Sequence, residues 1–377
     1  MARSPPSPSG IMNNPSSLAA APMAPVLRED YARWIPFCRE ATLECSERYI
    51  DLKLEELRAL LGGSAFPESL FRERWGEPFL SYVRRGAKLL RPYLVCTILD
   101  AYAIDPRSLP VAVALAEIVQ ASSLMLDDIA DDSLLRRGGP TAQYVHGVLV
   151  AGGSASAWLN SSLQLAWELR EPCGDEIAFR LADALAWEHF VTGLGVTIDV
   201  TWGWEQTLDH TPEEYLQEVL HRSTSYTFRL PLKIGCIVAG APEHELRALS
   251  TFGEKIGTAF QLVDDVLNVR PGDDSWGKEI GEDVAQGKIT LQVLRALDRA
   301  SAGERDELVR TLGAKTHDPR ALARAIEILE STGALRSCAD DAARLTAEAK
   351  ELLHELASPV LRERLSAFAD YVVCRSL

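Results

Sequence analysis

The feature that most constrains the fold of this chain is a run of apolar residues that ends in four aspartates. Residues 109–132 read LPVAVALAEIVQASSLMLDDIADD and are apolar nearly all round, which predicts a central helix. Residues 242–269 form a second long, mostly apolar helical pattern, and alternation typical of strands is almost absent elsewhere. With helix breakers spaced along the rest of the 377 residues, the sequence predicts an all-α protein of ten or more helices.

The N-terminal segment differs in composition from the rest of the chain. Residues 1–28 are rich in Pro, Ser and Ala, and we expect a disordered tail there, followed by a single all-α domain over residues 29–377. The tail lacks the long apolar core of a signal peptide, and a transit peptide is the alternative interpretation. We expect no transmembrane segment, because no uninterrupted apolar run reaches the length of a span.

Net charge and cysteine usage exclude some function classes. A formal charge of −15 disfavours nucleic acid and anionic membranes as partners, so an anionic substrate would need a local cluster of cations or metal ions. The 7 cysteines are scattered and form no CxxC pair. This pattern indicates reduced thiols and a cytoplasmic protein.

Two acidic clusters lie on the two most apolar helices. Asp127 and Asp131 are four residues apart, as are Asp264 and Asn268, so each pair projects from one face of its helix. A solvated helix end would explain one such cluster, but apolar neighbours on both helices argue against that explanation. Carboxylates grouped in apolar surroundings need cationic compensation, and hard oxygen ligands suit Mg²⁺ bound together with phosphate oxygens.

Basic residues follow or precede these clusters in a regular order. Singly, each of them would be interpreted as a surface residue. Together they are candidates for two diphosphate sites, since Arg binds phosphate oxygens bidentately and Lys acts as a point charge. The set consists of Lys88, Arg91, Arg136, Arg137, Arg222, Lys278 and Lys288.

At this point the sequence resembles the trans-isoprenyl diphosphate synthase (polyprenyl synthetase) family over residues 80–295. The first aspartate motif of that family, DDxxD followed by RRGxP, is similar to DDIADDSLLRRGGPT here, and the second, FQxxDDxxD/N, is similar to FQLVDDVLN. The family segments GxKxxRP and GKxxGxDxxxGKxT are similar to GAKLLRP and GKEIGEDVAQGKIT. The stretches AQYVHGVLVAGGSASAW and TPEEYL resemble the geranylgeranyl diphosphate synthase branch. The resemblance implies the isoprenoid synthase fold, a bundle of mostly antiparallel helices around a central hydrophobic cavity.

The resemblance also implies site residues, taken over position by position. Three Mg²⁺ ions, replaceable by Mn²⁺, would be bound by Asp127, Asp131 and Asp264, supported by Asp128, Asp132, Asp265 and Asn268. The allylic diphosphate would contact Arg136, Arg222 and Lys278, with Lys288 nearby, and isopentenyl diphosphate would contact Lys88, Arg91, Gln120 and Arg137. Gln261 and Ser223 would flank the carbocation.

Three positions depart from the family pattern. Arg222-Ser223 replaces the usual Lys-Thr, Val196 replaces a Gln, and Gln292 replaces a Pro. None of them removes an expected metal ligand, but Arg and Lys are not equivalent at a tight site. We therefore expect the family reaction, with rate and substrate preference open.

The implied function is the Mg²⁺-dependent head-to-tail condensation of isopentenyl diphosphate with an allylic diphosphate (dimethylallyl, geranyl or farnesyl), in a homodimer. Small residues before the first motif leave room for a long product, and we expect geranylgeranyl diphosphate, C20. The positions concerned are Ser122, Ser123, Val119 and Ala116. The alternatives are a farnesyl or longer-chain synthase, a class I terpene cyclase of the same fold, and a non-catalytic regulatory subunit.

Overall fold

A computed structural model describes residues 23–61, 67–205, 207–270 and 280–373 of the chain. The helices are α1 (Pro25–Leu61), α2 (Glu68–Phe71), α3 (Glu77–Arg84), α4 (Leu90–Ala101), α5 (Pro110–Ala130), α6 (Ala142–His146), α7 (Val148–Glu168), α8 (Arg170–Cys173), α9 (Asp175–Glu205), α10 (Pro212–Val219), α11 (Leu230–Val238), α12 (Glu243–Val269), α13 (Glu282–Gln286), α14 (Leu291–Arg299), α15 (Ala302–Ala314), α16 (Pro319–Ser331), α17 (Ala334–Leu352) and α18 (Pro359–Val373). Two segments, Arg72–Gly76 and Leu220–Arg229, are π-helical, and two single turns, Pro106–Ser108 and Leu353–Glu355, are 3₁₀-helical. The strands are β1 (Leu135–Arg136) and β2 (Gly139–Pro140), a short antiparallel pair.

The predicted all-α class is confirmed. The two apolar runs are the helices α5 and α12, and the region after residue 301 contains the four helices α15 to α18. Thr211 caps α10 as its sequence predicts, because its hydroxyl accepts from the Glu214 amide while the Glu214 carboxylate accepts from the Thr211 amide. The tight β1–β2 turn is the only paired strand structure within the described ranges.

The predicted boundary of the N-terminal tail needs a correction. Helix α1 begins at Pro25, so residues 25–28 are helical and not part of a tail. The physical reason is burial, since Leu27 is 1 % exposed. The first 22 residues of the predicted tail lie outside the described residues, and the assignment of everything after it to one domain stays a prediction.

By its internal contacts, the chain divides into two compact units. Unit 1 comprises Arg28–His189 and Leu230–Leu246, and unit 2 comprises Phe190–Arg229 and the described part of Arg247–Leu377. Among the residues of unit 1, Tyr49, Trp75, Phe79 and Trp158 form an aromatic cluster, with the rings of Phe79 and Trp158 stacked at 4.0 Å. The core of unit 2 is built from apolar residues of α10, α12, α14 and α17.

Helix α5 is the central helix of unit 1. It is the one described helix that is long and apolar enough to cross a membrane, but 72 % of its most apolar window is buried inside the protein. That burial is typical of a core helix in a folded domain. The first aspartate motif therefore lies at the end of a helix that is packed along most of its length.

Candidate active site

The second aspartate of the first motif is a buried anchor. Asp128 is 0 % exposed at the C-terminal end of α5. One carboxylate oxygen, Oδ2, accepts from the Tyr82 hydroxyl at 2.6 Å, and the other, Oδ1, accepts from Nε of Arg136 at 2.8 Å. A buried carboxylate is stable only when it is paired and hydrogen-bonded, and Asp128 has both kinds of partner. This buried position is consistent with the supporting role that the family resemblance implied, and that role stays a prediction.

The other three aspartates of this motif lie at the helix end itself. Asp127 and Asp131 are half-buried, and Asp132 is exposed with a left-handed φ of 51°. The C-terminus of a helix carries partial negative charge, so grouped carboxylates there are unfavourable without a cation. The arrangement fits a site that binds a cation, such as a metal ion.

The two arginines after the motif are held on the β1–β2 turn. Arg85 of the α3 C-terminus supports this turn, because its Nη1 donates to the carbonyl of Pro140 at 2.6 Å. Gly139 packs directly on that guanidinium: an added Cβ would lie 2.7 Å from Arg85. Burial lowers the pKa of the Arg136 guanidinium, but the hydrogen bond to Asp128 and the negative charges of Asp128 and Asp127 together outweigh burial and raise that pKa above its ordinary value. Arg136 is therefore a fixed, permanent cation.

The residues expected to bind isopentenyl diphosphate are also in unit 1. Lys88 is exposed in the turn before α4, and Arg91 is half-buried in the first turn of that helix. Gln120 of α5 is 3 % exposed, and its Oε1 accepts no hydrogen bond from the described residues. Arg137 donates through Nη2 to Oε1 of Glu117 at 2.7 Å. All four stay predicted contacts of the substrate.

The residues expected to limit chain length share one property. They are buried on α5, within about three turns before the first motif, and each has a small or branched side chain. The Ser122 hydroxyl donates to the Ile118 carbonyl of its own helix at 2.8 Å, so it needs no other partner. The four are Ala116, Val119, Ser122 and Ser123.

The second motif, in unit 2, repeats the arrangement of the first. Asp265 is buried on α12, with its Oδ2 bonded by the Tyr215 hydroxyl and its Oδ1 accepting from Nε2 of Gln261 at 2.8 Å. Gln292, which replaces the family proline, donates to the Asp265 carbonyl at 2.9 Å. Burial is the main reason that the pKa of Asp265 rises to about 7. Asp264, one residue earlier, is half-buried.

Asn268 has a structural partner in the same unit. Its Oδ1 accepts from the Asp283 amide at 3.2 Å and its carbonyl accepts from the Gly281 amide at 2.8 Å. The end of the second motif thus holds the start of α13. Nζ of Lys288 lies 3.9 Å from Oδ1 of Asp283. Lys278, the remaining predicted cation, lies outside the described residues.

Arg222 sits in the π-helical segment and contacts two carboxylates. Its Nε donates to Glu218, one helical turn earlier, and lies 3.7 Å from Oδ2 of Asp199 on α9. Burial lowers the pKa of Arg222, but the two carboxylates outweigh it and raise that pKa well above its ordinary value. Gly195 of α9 packs against this segment so closely that an added Cβ would lie 2.4 Å from the Arg222 amide nitrogen. Ser223 is half-buried beside it.

Four of the residues that fix the predicted site were not found from the sequence: Tyr82, Glu117, Tyr215 and Glu218. Glu117 could have been noticed as a lone charge inside an apolar helix, and Glu218 as the residue one turn before Arg222. No sequence signal pointed to the tyrosines. Within the described ranges, no three His, Cys, Asp or Glu side chains form a preformed metal cage. Mg²⁺ takes one or two carboxylates from a protein and completes its shell with waters and substrate phosphates.

Comparison with known proteins gives consistent matches. The family model described as polyprenyl synthetase matches residues 73–329. A short chain isoprenyl diphosphate synthase of Methanothermobacter thermautotrophicus is 32 % identical over 88 % of this chain and 98 % of its own. An all-trans-nonaprenyl-diphosphate synthase of Rhodobacter capsulatus is 31 % identical over 75 % of this chain and 83 % of its own.

Solved structures also match. The crystal structure of a geranylgeranyl pyrophosphate synthase from Corynebacterium glutamicum, complexed with isoprenyl diphosphate and magnesium, is similar with a TM-score of 0.76 at 25 % identity. The match covers 90 % of this chain and 99 % of that one. The predicted isoprenoid synthase fold is thereby confirmed.

Gly195→Ala should destabilise the protein, because the new methyl group would overlap the Arg222 backbone. We expect a loss of about 1–3 kcal/mol in the free energy of unfolding, measured by urea denaturation. Gly193→Ala is the matched control on the same helix: nothing lies within 4 Å of its added Cβ, so it should be neutral or stabilising by about 0.5–1 kcal/mol. Equal effects of the two variants would contradict the close packing.

The raised pKa of Asp265 predicts a pH dependence of stability in the absence of divalent metal. Its folded pKa, about 7, lies above the unfolded value, so the folded state binds the extra proton. The free energy of unfolding should therefore fall as pH rises from about 4 to about 7. Asp265→Asn should flatten that part of the profile, whereas a slope unchanged by the substitution would assign it to other groups.

Proposed function

This chain belongs to the polyprenyl synthetase family, and we propose that it condenses isopentenyl diphosphate head to tail with an allylic diphosphate to give a trans-prenyl diphosphate. The family membership predicted from the motifs is confirmed, and with it the enzyme class, isoprenyl diphosphate synthase. The relatives carry names from short-chain to nonaprenyl synthases, so the product length is argued separately.

The observation that carries the proposal is the repeated construction of the two aspartate motifs. In each, the second aspartate is buried and bonded by a tyrosine hydroxyl, and the first is half-buried on the same apolar helix. Each unit also contains a half-buried arginine with a raised pKa: Arg136 in unit 1 and Arg222 in unit 2. Fixed cations beside half-buried carboxylates suit a diphosphate bound with a divalent metal ion.

We assign Mg²⁺ to Asp127 and Asp131 in unit 1 and to Asp264 in unit 2, with Asp128, Asp265 and Asn268 behind them. When bound, Mg²⁺ would neutralise the negative charge that develops on the leaving diphosphate. The related Corynebacterium synthase was crystallised in complex with isoprenyl diphosphate and magnesium, which supports this choice. Mn²⁺ is the expected substitute.

The residues of the chain supply the rest of the mechanism. Arg136 and Arg222 stabilise the diphosphate as the allylic C–O bond breaks, which is electrostatic stabilisation by groups already fixed in place. Arg137, with Lys88, Arg91 and Gln120, orients isopentenyl diphosphate so that its double bond attacks the allylic carbon. The proton lost from the adduct leaves with the departing diphosphate. Gln261 and Ser223 flank the cation.

The enzyme is proposed to act as a cytoplasmic homodimer. Helix α7 and the first half of α9 expose large apolar side chains, including Leu149 at 90 %, Phe179 at 61 % and Trp187 at 57 %. Exposed apolar patches of this kind mark association surfaces, and a second copy of the chain is the occupant that the family implies.

We propose C20, geranylgeranyl diphosphate, as the main product. The α5 positions before the first motif carry Ser122 and Ser123, both buried, where an aromatic side chain would fill the space that a growing chain needs. Ala116 and Val119 lie one to two turns deeper along the same helix. The small side chains favour growth past C15, and deeper residues set the final length.

Incubation of the purified enzyme with farnesyl diphosphate, isopentenyl diphosphate and Mg²⁺ should give geranylgeranyl diphosphate. Mass spectrometry of the dephosphorylated products identifies the chain length. A product that stops at C15, or extends far beyond C20, would contradict the chain-length proposal and leave the reaction class intact. A cyclic hydrocarbon would indicate a terpene cyclase, and no product would indicate a regulatory subunit.

Ser122→Phe should shorten the product to C15, because the ring would occupy the space beside α5 that the chain enters. The measurement is the product distribution from geranyl diphosphate and isopentenyl diphosphate. Ser122→Ala is the matched control: it removes a hydroxyl that bonds the Ile118 carbonyl of its own helix, and it should leave the length unchanged. An unchanged product from the Phe variant would place the floor of the cavity elsewhere.

A further inference from the structure

Tyr82 is connected to both arginines of the β1–β2 turn, to Arg136 through Asp128 and to Arg137 directly. It is 0 % exposed on α3. Its hydroxyl donates to Oδ2 of Asp128 at 2.6 Å and accepts from the Ala142 amide at 3.3 Å. Its backbone carbonyl accepts from Nη1 of Arg137 at 2.8 Å. One residue therefore bonds the aspartate motif through its side chain and an arginine through its backbone.

The hydroxyl side of Tyr82 leads to Arg136. Asp128 accepts from Tyr82 through one oxygen and from Arg136 through the other, so the carboxylate is held in a single orientation. Gln143 adds a bond from its Nε2 to the Asp128 carbonyl at 2.7 Å. Without the tyrosine hydroxyl, a fully buried carboxylate oxygen would lose its donor, and the orientation of Arg136 would be less restricted.

The backbone side of Tyr82 leads to Arg137, together with Glu117. Arg137 and Glu117 are 11 % and 2 % exposed in their side chains. Oε2 of Glu117 has no hydrogen-bond partner among the described residues, so the carboxylate relies on Arg137 through Oε1. The backbone of Arg137 has a left-handed φ of 52°, which is unusual for a residue other than glycine. The bonds to Tyr82 and Glu117 hold the Arg137 guanidinium in place.

We infer that Tyr82 and Glu117 are positioning residues with separate duties. The Tyr82 hydroxyl positions Arg136, through Asp128, for the allylic diphosphate. Glu117, with the Tyr82 carbonyl, positions Arg137 for isopentenyl diphosphate. The inference rests on the proposed function, and it predicts that the two substrates respond to different substitutions.

The test is steady-state kinetics of wild type, Tyr82→Phe, Glu117→Ala and Glu117→Gln, with each substrate varied in turn. Tyr82→Phe keeps the ring and the carbonyl, so kcat/KM for the allylic substrate should fall about ten- to hundredfold while the KM for isopentenyl diphosphate stays within about twofold. Glu117→Ala should raise the KM for isopentenyl diphosphate about tenfold or more and leave the allylic KM unchanged. Glu117→Gln keeps an acceptor and should recover part of that loss.

Tyr93→Phe is the matched control for the tyrosine. The Tyr93 hydroxyl donates to a buried aspartate that belongs to neither aspartate motif, Asp30, at 2.9 Å. It should lower the thermal unfolding temperature without separating the two KM values. If Tyr82→Phe or Glu117→Ala changes the kinetic constants for both substrates equally, the positioning roles are overturned. The roles are also overturned if the wild type is active and Tyr82→Phe and Glu117→Ala have its kinetic constants. A wild type without activity would instead overturn the proposed function.

Discussion

The construction of this protein depends on placing carboxylates at the ends of apolar helices without leaving them uncompensated. A buried carboxylate without partners is costly, and a helix C-terminus adds an unfavourable dipole. Asp128 meets this constraint with Tyr82 on one oxygen and Arg136 on the other. Asp265 meets it with Tyr215 and Gln261, and the pKa of Asp265 still rises to about 7, mainly through burial. The carboxylate of Asp128 thus has a direct cationic partner, whereas the donors to the carboxylate of Asp265 among the described residues are the neutral side chains of Tyr215 and Gln261.

The same constraint explains why adjacent aspartates differ in role. In a helix, neighbouring residues point about 100° apart, so one aspartate of a pair faces the core when the other faces outward. Asp128 and Asp265 are the inward members, and Asp127 and Asp264 are half-buried. The inward carboxylate fixes the helix end against its neighbours, so the other is presented at a defined angle. Such preorganisation is what a diphosphate site needs, because charge stabilisation is effective only from groups that do not have to move.

The sequence predicted the helical class, the two central helices and the Thr211 cap, because periodicity and capping are local signals. It also named the charged residues of the candidate site, and their contacts with substrate stay predictions. It could not predict the tyrosines, since a Tyr 46 residues before Asp128 and another 50 before Asp265 are contacts of tertiary packing with no local pattern. The start of α1 at Pro25 was missed for a related reason: composition indicated a tail, and burial of Leu27 overrode it.

Two of the three departures from the family pattern make hydrogen bonds close to the position where they occur. Gln292, where a proline is usual, uses its amide to bond the carbonyl of Asp265, a contact that proline has no donor to make. Arg222, where a lysine is usual, brings a longer planar cation, and Glu218 one turn earlier fixes it in the π-helical segment. The close approach of Gly195 to the Arg222 backbone leaves no room for the segment to shift. An arginine at this position is therefore held by a carboxylate on its own segment, against a glycine on α9, and it has less freedom than a lysine would have.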